Sequence, residues 1–114
     1  MPDQELEVRS VRPGDLSDLL ELYRHLNPTD DPIPDGPKRQ ETWKAMLGCP
    51  GFRCIVGIKA GALVTSCCLV VVPNLTRGGR PYAFIENVVT HADYRQRGFG
   101  TAIVNHALRE AWRA

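Results

Sequence analysis

The chain holds 114 residues, 43% hydrophobic and 24% charged, which suits one globular domain spanning residues 1–114 and leaves no room for a second. Fourteen basic against thirteen acidic side chains leave a formal net charge of +1, so the overall balance supplies no electrostatic footprint for nucleic acid or a membrane surface. The opening Met1-Pro2-Asp3-Gln4-Glu5 has no basic start and no apolar run, and no window approaches the roughly 18 apolar residues of a membrane span, so a cytoplasmic protein is expected.

Leu6 to Val11 alternate apolar and polar side chains and read as a short strand that stops at Pro13-Gly14. Asp15 is the expected N-cap of a first helix, with Asp18 in a capping-box-like position and Leu16, Leu19, Leu20, Tyr23 and Leu26 as its core stripe. Four prolines and three aspartates between Asn27 and Pro37 break the helix and allow no strand ladder, so this segment is a loop. A second helix runs over Lys38–Leu47, carries Trp43, Met46 and Leu47 on one side, and ends before Gly48.

Phe52–Lys59 and Ala62–Val72 are strand-like runs separated by Ala60-Gly61, a spacing for a tight antiparallel hairpin. The continuous apolar character of Leu69 to Val72 implies burial on both faces and a central strand with helices on each side. Cys67 and Cys68 are neighbours in this run and should point to opposite faces, and the four cysteines lack metal-ligand spacing, so buried free thiols are expected. After a loop over Asn74–Pro81, Tyr82–Thr90 forms a fourth strand. A last amphipathic helix begins at Gly98, with Ile103, Val104, Ala107, Leu108, Ala111 and Trp112 on its apolar side. It shows no stop signal before Ala114, so the domain is expected to continue past it.

Between that strand and helix lies Tyr94-Arg95-Gln96-Arg97-Gly98-Phe99-Gly100-Thr101. Glycines at 98 and 100 let the backbone approach an anion closely, and the helix N-terminus adds unpaired N–H groups and the positive end of its dipole, which together suit a pyrophosphate. Arg95 and Arg97 could add charge-assisted bonds to phosphate oxygens. The same residues also allow an ordinary turn with solvated arginines. Neither a phosphate-binding GxxxxGK[ST] loop nor a GxGxxG fingerprint is present, which disfavours nucleoside triphosphates and NAD.

Ile85-Glu86-Asn87-Val88-Val89-Thr90-His91 followed by Arg95-Gln96-Arg97-Gly98-Phe99-Gly100-Thr101 resembles the central strand and the [RQ]xxGx[GA] motif of the GNAT superfamily of N-acetyltransferases. Val11-Arg12-Pro13-Gly14-Asp15-Leu16 is similar to that family's first strand and helix start. The resemblance implies an α/β fold (α+β in some schemes): a mixed, mostly antiparallel central sheet flanked by helices, in the order β-α-α-β-β-β-α. It implies transfer of an acetyl group from acetyl-CoA to a primary amine, of a small molecule or a peptide, by direct attack and without a metal. It further implies that the backbone of Val88, Val89 and Thr90 pairs with the pantetheine arm of the coenzyme. The amides of Arg95, Gln96, Arg97, Gly98, Phe99, Gly100 and Thr101 would hold its pyrophosphate, and Glu86 would be the general base.

Glu86 can equally be a strand carboxylate paired with an arginine, and His91 a hydrogen-bonding residue at the strand end rather than a titrating one. Asp30, Asp31, Asp35 and Glu41 either attract a cationic acceptor or form a solvated acidic loop, and Trp43 either lines that cleft or belongs to the core. Family members continue beyond the last helix seen here with further strands and a helix. The chain is therefore expected to be the N-terminal portion of such a domain, C-terminally incomplete. Its uncovered sheet edge would then offer a pairing place to a second copy, giving a homodimer, and the competing function is a non-catalytic acyl-CoA-binding or regulatory module, or an inactive fragment of a longer acetyltransferase.

Overall fold

The computed structural model describes residues 6–113; the stretch from Met1 to Glu5, read above for an export leader, and Ala114 lie outside the described residues. Strand β1 (Glu7–Ser10) leads through a 3-10 turn (Pro13–Asp15) into α1 (Leu16–Tyr23), and α2 (Pro37–Leu47) follows the proline-rich loop. Then come β2 (Phe52–Lys59), β3 (Ala62–Val72), β4 (Tyr82–Thr90) and α3 (Phe99–Trp112). The strands form one sheet in the order β1-β2-β3-β4, and every pairing is antiparallel. Ala60 and Gly61, with φ of 51° and 82°, supply the two left-handed residues that a two-residue hairpin needs to match the strand twist.

Alternation along the strands divides the core in two. Cys54, Val56, Ile58 and Cys68 meet Leu19 of α1 and Trp43 of α2 on one face. Ile55, Cys67 and Leu69 meet Ile103 and Ala107 of α3 on the other. The adjacent thiols of Cys67 and Cys68 thus serve opposite layers, as the period of two requires. Cys54, Cys67 and Cys68 are buried free thiols, whereas Cys49 is exposed. Burial pushes the Cys67 thiol up to about 11, so it remains an uncharged packing group. The stretch enclosed from both sides is Val64 to Leu69, with Val70 to Val72 half-buried. Val71 still packs against the α3 side of the core.

The expectation of a C-terminally incomplete N-terminal portion is corrected. β4 pairs with β3 from Val72↔Tyr82 to Thr65↔Thr90, α3 seats Ile103 and Ala107 at 0% exposure, and both faces of β2 and β3 carry a closed core. The four-strand, three-helix arrangement is therefore present as a packed unit, because two helices on one face and one on the other already cover the central strands.

Smaller departures have local causes. α2 starts at Pro37 rather than Lys38, since proline fits the first helical position, where its missing N–H costs nothing. α1 ends at Tyr23 and buries Leu19 and Leu22, while Leu26 is 42% exposed. Asp15 makes no side-chain cap to α1. Its carboxylate instead receives both terminal nitrogens of Arg9, at 2.7 and 3.2 Å, and the N–H of Arg12 at 2.7 Å, locking β1 to the turn that starts α1. Trp43 Nε1 donates to the Pro13 carbonyl at 2.9 Å, which brings α2 to the same corner.

The Arg9 hydrogen bond, joined by the Arg12 amide, holds the Asp15 carboxyl below its ordinary range. Asp15→Ala is expected to destabilise the protein by about 1–3 kcal/mol in urea unfolding at neutral pH, the range for a charged hydrogen-bonded pair. A depressed carboxyl contributes above its unfolded value of about 3.9 and loses that contribution as pH falls through the folded value. The stability gap between parent and variant should therefore close in acid.

Candidate functional site

β4 is the last strand of the sheet, so one of its edges has no neighbouring strand among the described residues. Its pairing with β3 slips by one residue: Glu86 faces Cys68 and Val89 faces Ser66, leaving Asn87 and Val88 opposite Cys67 alone. This is a β-bulge, and Asn87 absorbs it with φ of 53°, a conformation that asparagine tolerates better than most residues. A bulge interrupts the ladder, so backbone groups of Asn87 and Val88 are released at the edge. Glu86, Asn87 and Val88 are all exposed, whereas the Val89 side chain is buried.

Glu86 stands across from Cys68 on the face that carries α1 and α2. Beneath it the Tyr23 hydroxyl lies 3.8 Å from Cys68 Sγ and 4.0 Å from Cys54 Sγ. Burial drives the Tyr23 hydroxyl up in pKa, so it keeps its proton, whereas the contact with Cys54, joined by that with Tyr23, pulls the Cys68 thiol down to about 7 against the cost of burial. Tyr82, Phe84 and Val88 leave large apolar surfaces open along β4, so the carboxylate sits on an apolar ledge facing solvent.

The segment after β4 turns sharply towards α3. The His91 N–H donates to the Val64 carbonyl at 2.8 Å, and a 3-10 turn follows over Ala92–Tyr94. Gln96 and Gly98 take φ of 64° and 82°. Gly98 is the N-cap of α3, and its carbonyl accepts the Ala102 N–H at 2.9 Å. A β-carbon built on Gly98 would meet no heavy atom within 4 Å, so the cradle opens outward. The first N–H groups of α3 have no intrahelical partner and face this opening with the positive end of the helix dipole. Such an arrangement of donors has the electrostatic character that suits an anion.

The side chains of the motif are distributed unevenly. Arg95 spends its guanidinium internally, with Nε donating to the Thr90 carbonyl at 3.1 Å and Nη2 to the His25 carbonyl at 2.9 Å. Arg97 lies 5.2 Å above the Tyr94 ring, and Phe99 is a core side chain at 2% exposure. Thr90 Oγ1 is 3.0 Å from Thr65 Oγ1. What Val88 to Thr90 and Arg95 to Thr101 can offer a ligand is therefore mostly main chain.

The acidic residues of the α1–α2 region are exposed or make local contacts. Asp35 accepts the Gly36 N–H at 2.9 Å and sits 3.7 Å from Arg39, while Asp30, Asp31 and Glu41 are exposed. Trp43 belongs to the core at 4% exposure. Three contributors were invisible in the sequence: Asn87 at the bulge, His25 behind Arg95, and Lys59, whose Nζ is 5.9 Å from the Phe99 ring centre. Asparagine's tolerance of positive φ was the one signal available, and it does not mark a bulge by itself. Among the described residues no helix is long and apolar enough to cross a membrane.

Comparison with known proteins agrees with the geometry. A family model described as the acetyltransferase (GNAT) family matches residues 16–114. A glucosamine 6-phosphate N-acetyltransferase of Trypanosoma brucei brucei is 33% identical over 108 residues, covering 88% of this chain and 67% of the relative. A solved protein of Agrobacterium tumefaciens str. C58 described as an acetyltransferase is 45% identical with a TM-score of 0.87, over 93% of this chain and 73% of the other. A solved Trypanosoma brucei acetyltransferase follows at 31% identity and a TM-score of 0.82, over 95% and 75%. The family match over residues 16–114 takes in β4 and α3, so both belong to the shared fold.

Proposed function

Because the chain belongs to the acetyltransferase (GNAT) family, we propose that it transfers the acetyl group of acetyl-CoA to a primary amine, with Glu86 as the proton acceptor. The observation that carries this reading is the open cradle at Gly98, set at the head of α3 beside the free edge of β4. Acetyl-CoA, when bound, supplies an acyl thioester. Backbone groups of Val88, Val89 and Thr90 pair with its extended arm as a neighbouring strand would. The amides from Arg95 to Thr101, a segment in which Gln96 and Gly98 take left-handed φ, hold its diphosphate as a concave nest of N–H groups would. Arg95 acts from behind by fixing the turn.

In the chemical step the amine nitrogen forms the C–N bond as the C–S bond breaks, the sulfur departs with the bond pair, and a nitrogen proton passes to the Glu86 carboxylate directly or through one water. Glu86 suits this role because it is exposed and immediately precedes the released backbone groups of Asn87 and Val88. The acceptor class is a small polar amine. The relative named for glucosamine 6-phosphate makes amino sugars and their phosphates the first candidates, with peptide amines as the contrasting class.

The test is thiol release from acetyl-CoA across a panel of glucosamine 6-phosphate, glucosamine, simple alkylamines and a lysine peptide, beside calorimetry with CoA. Turnover with at least one amine is expected. CoA binding without turnover on any amine would leave an acyl-CoA-binding module, and absence of both would remove the proposal.

A further inference from the structure

We propose that His25 is a positioning residue for the coenzyme: its neutral imidazole fastens the segment bearing the diphosphate turn to the end of α1. The proposal rests on the coenzyme reading above, and it makes coenzyme affinity sensitive to acid.

Three contacts join His25 to the segment between β4 and α3. The Ala92 N–H donates to His25 Nδ1 at 3.3 Å. The His25 carbonyl accepts Arg95 Nη2 at 2.9 Å. The imidazole rests on the His91 ring, with centres 4.0 Å apart and planes tilted by 36°. His91 in turn is pinned by its own N–H to the Val64 carbonyl, accepts the Asp93 N–H on Nδ1 at 3.0 Å, and packs edge-on against Tyr94. The cradle therefore hangs from a short segment clamped on one side by β3 and on the other by the turn that follows α1. Gln96, only one residue beyond Arg95, holds a left-handed φ of 64° that is unfavourable for a residue with a side chain. A turn so strained keeps its shape only while its base is fixed.

An Nδ1 that accepts an N–H carries no proton, so the latched form is the neutral Nε2–H tautomer. Protonation converts this acceptor into a donor aimed at another donor, and the contact is lost. The charged and titratable groups facing the ring are Glu21 of α1 and His91, Asp93 and Arg95 of the opposing segment. Asp18, Glu21 and His91 also line a cavity of about 240 Å³ beside it. Burial, followed by the His91 and Arg95 charges, outweighs the two carboxylates and holds His25 below its ordinary value. Folding therefore favours the neutral ring, and the latch fails as pH falls through that lowered value.

Acid also has an opposing effect, because an imidazolium near a diphosphate attracts it. The sign of the pH dependence separates a latch from a simple charge. Calorimetric titration of the full chain with CoA, near pH 8 and again near pH 5.5 on either side of about 6.5, should show weaker binding in acid. The expected loss is about three- to tenfold, the range one neutral hydrogen bond carries. His25→Asn keeps an acceptor for the Ala92 N–H that does not titrate, and it should flatten the slope. Subtracting this variant from the parent also cancels titration of the coenzyme's own phosphate, near pH 6. His25→Phe keeps a ring but no acceptor, and it should bind CoA more weakly than His25→Asn at both pH values.

Binding that is unchanged or tighter in acid after this subtraction, or a parent slope retained by His25→Asn, overturns the latch. Imidazole nitrogen NMR reads it without any ligand: a neutral His25 protonated on Nδ1 would sink the proposal even if CoA bound. Failure of CoA to bind at either pH would instead sink the coenzyme reading and leave the tautomer measurement to decide on the latch.

Discussion

Gly98→Glu removes measurable CoA binding while the protein stays folded. Gly98 holds φ of 82° with open space where a β-carbon would stand, so the new side chain projects outward into the anion cradle rather than into the core. Two penalties combine. A non-glycine residue in the left-handed region costs about 1–2 kcal/mol, and a carboxylate beside a bound diphosphate adds charge repulsion at short range. An effective dielectric of about 20 puts one such contact at 4 Å near 4 kcal/mol. Together they amount to a loss beyond a hundredfold. Gly98→Ala isolates the backbone penalty and should bind CoA measurably more tightly than the glutamate variant. Circular dichroism and urea unfolding check the fold. Affinity within a few-fold of the parent for Gly98→Glu would move the diphosphate away from the head of α3.

Glu86→Gln should lower kcat by about a hundredfold or more, the usual scale for a lost general base, while changing the KM for acetyl-CoA little. Glutamine keeps the shape and length of the side chain on an exposed strand position, so neither the pairing with Cys68 nor the backbone groups at the bulge are disturbed. A proton acceptor acts on the attacking amine and not on the bound coenzyme, so only the chemical step should suffer. The measurement is steady-state kinetics with the best amine of the panel, beside CoA calorimetry. A comparable fall in CoA affinity would make Glu86 a structural partner. Unaltered turnover would make it a bystander, and the proton would have to leave by another route.

Much of the fold was legible because it rests on period and punctuation. The limits of β2, β3 and β4 follow from apolar runs bounded by Ala60-Gly61 and by the glycine- and proline-rich stretch before Tyr82. The backbone motif around Gly98 and Gly100 was visible as residue type and spacing. What was not legible depends on segments distant in sequence. Asp15 reads as a helix cap until Arg9 folds back upon it, and Leu26 continues a helical stripe until the chain leaves α1 at Arg24. Arg95 looks like a phosphate ligand until the carbonyls of Thr90 and His25 claim its guanidinium. In each case a tertiary partner took over a group whose local pattern suggested another use.

The slipped pairing in β4 has an arithmetic consequence. Glu86 and Val89 are three positions apart, yet their partners Cys68 and Ser66 are two apart, so the strand carries one supernumerary peptide unit between two blocks that are each in phase. Excising Asn87 would leave both blocks aligned as they are, whereas loss of any residue well inside either block would invert everything on one side of the gap. The kink can thus be edited out of the strand independently of the packing that surrounds it.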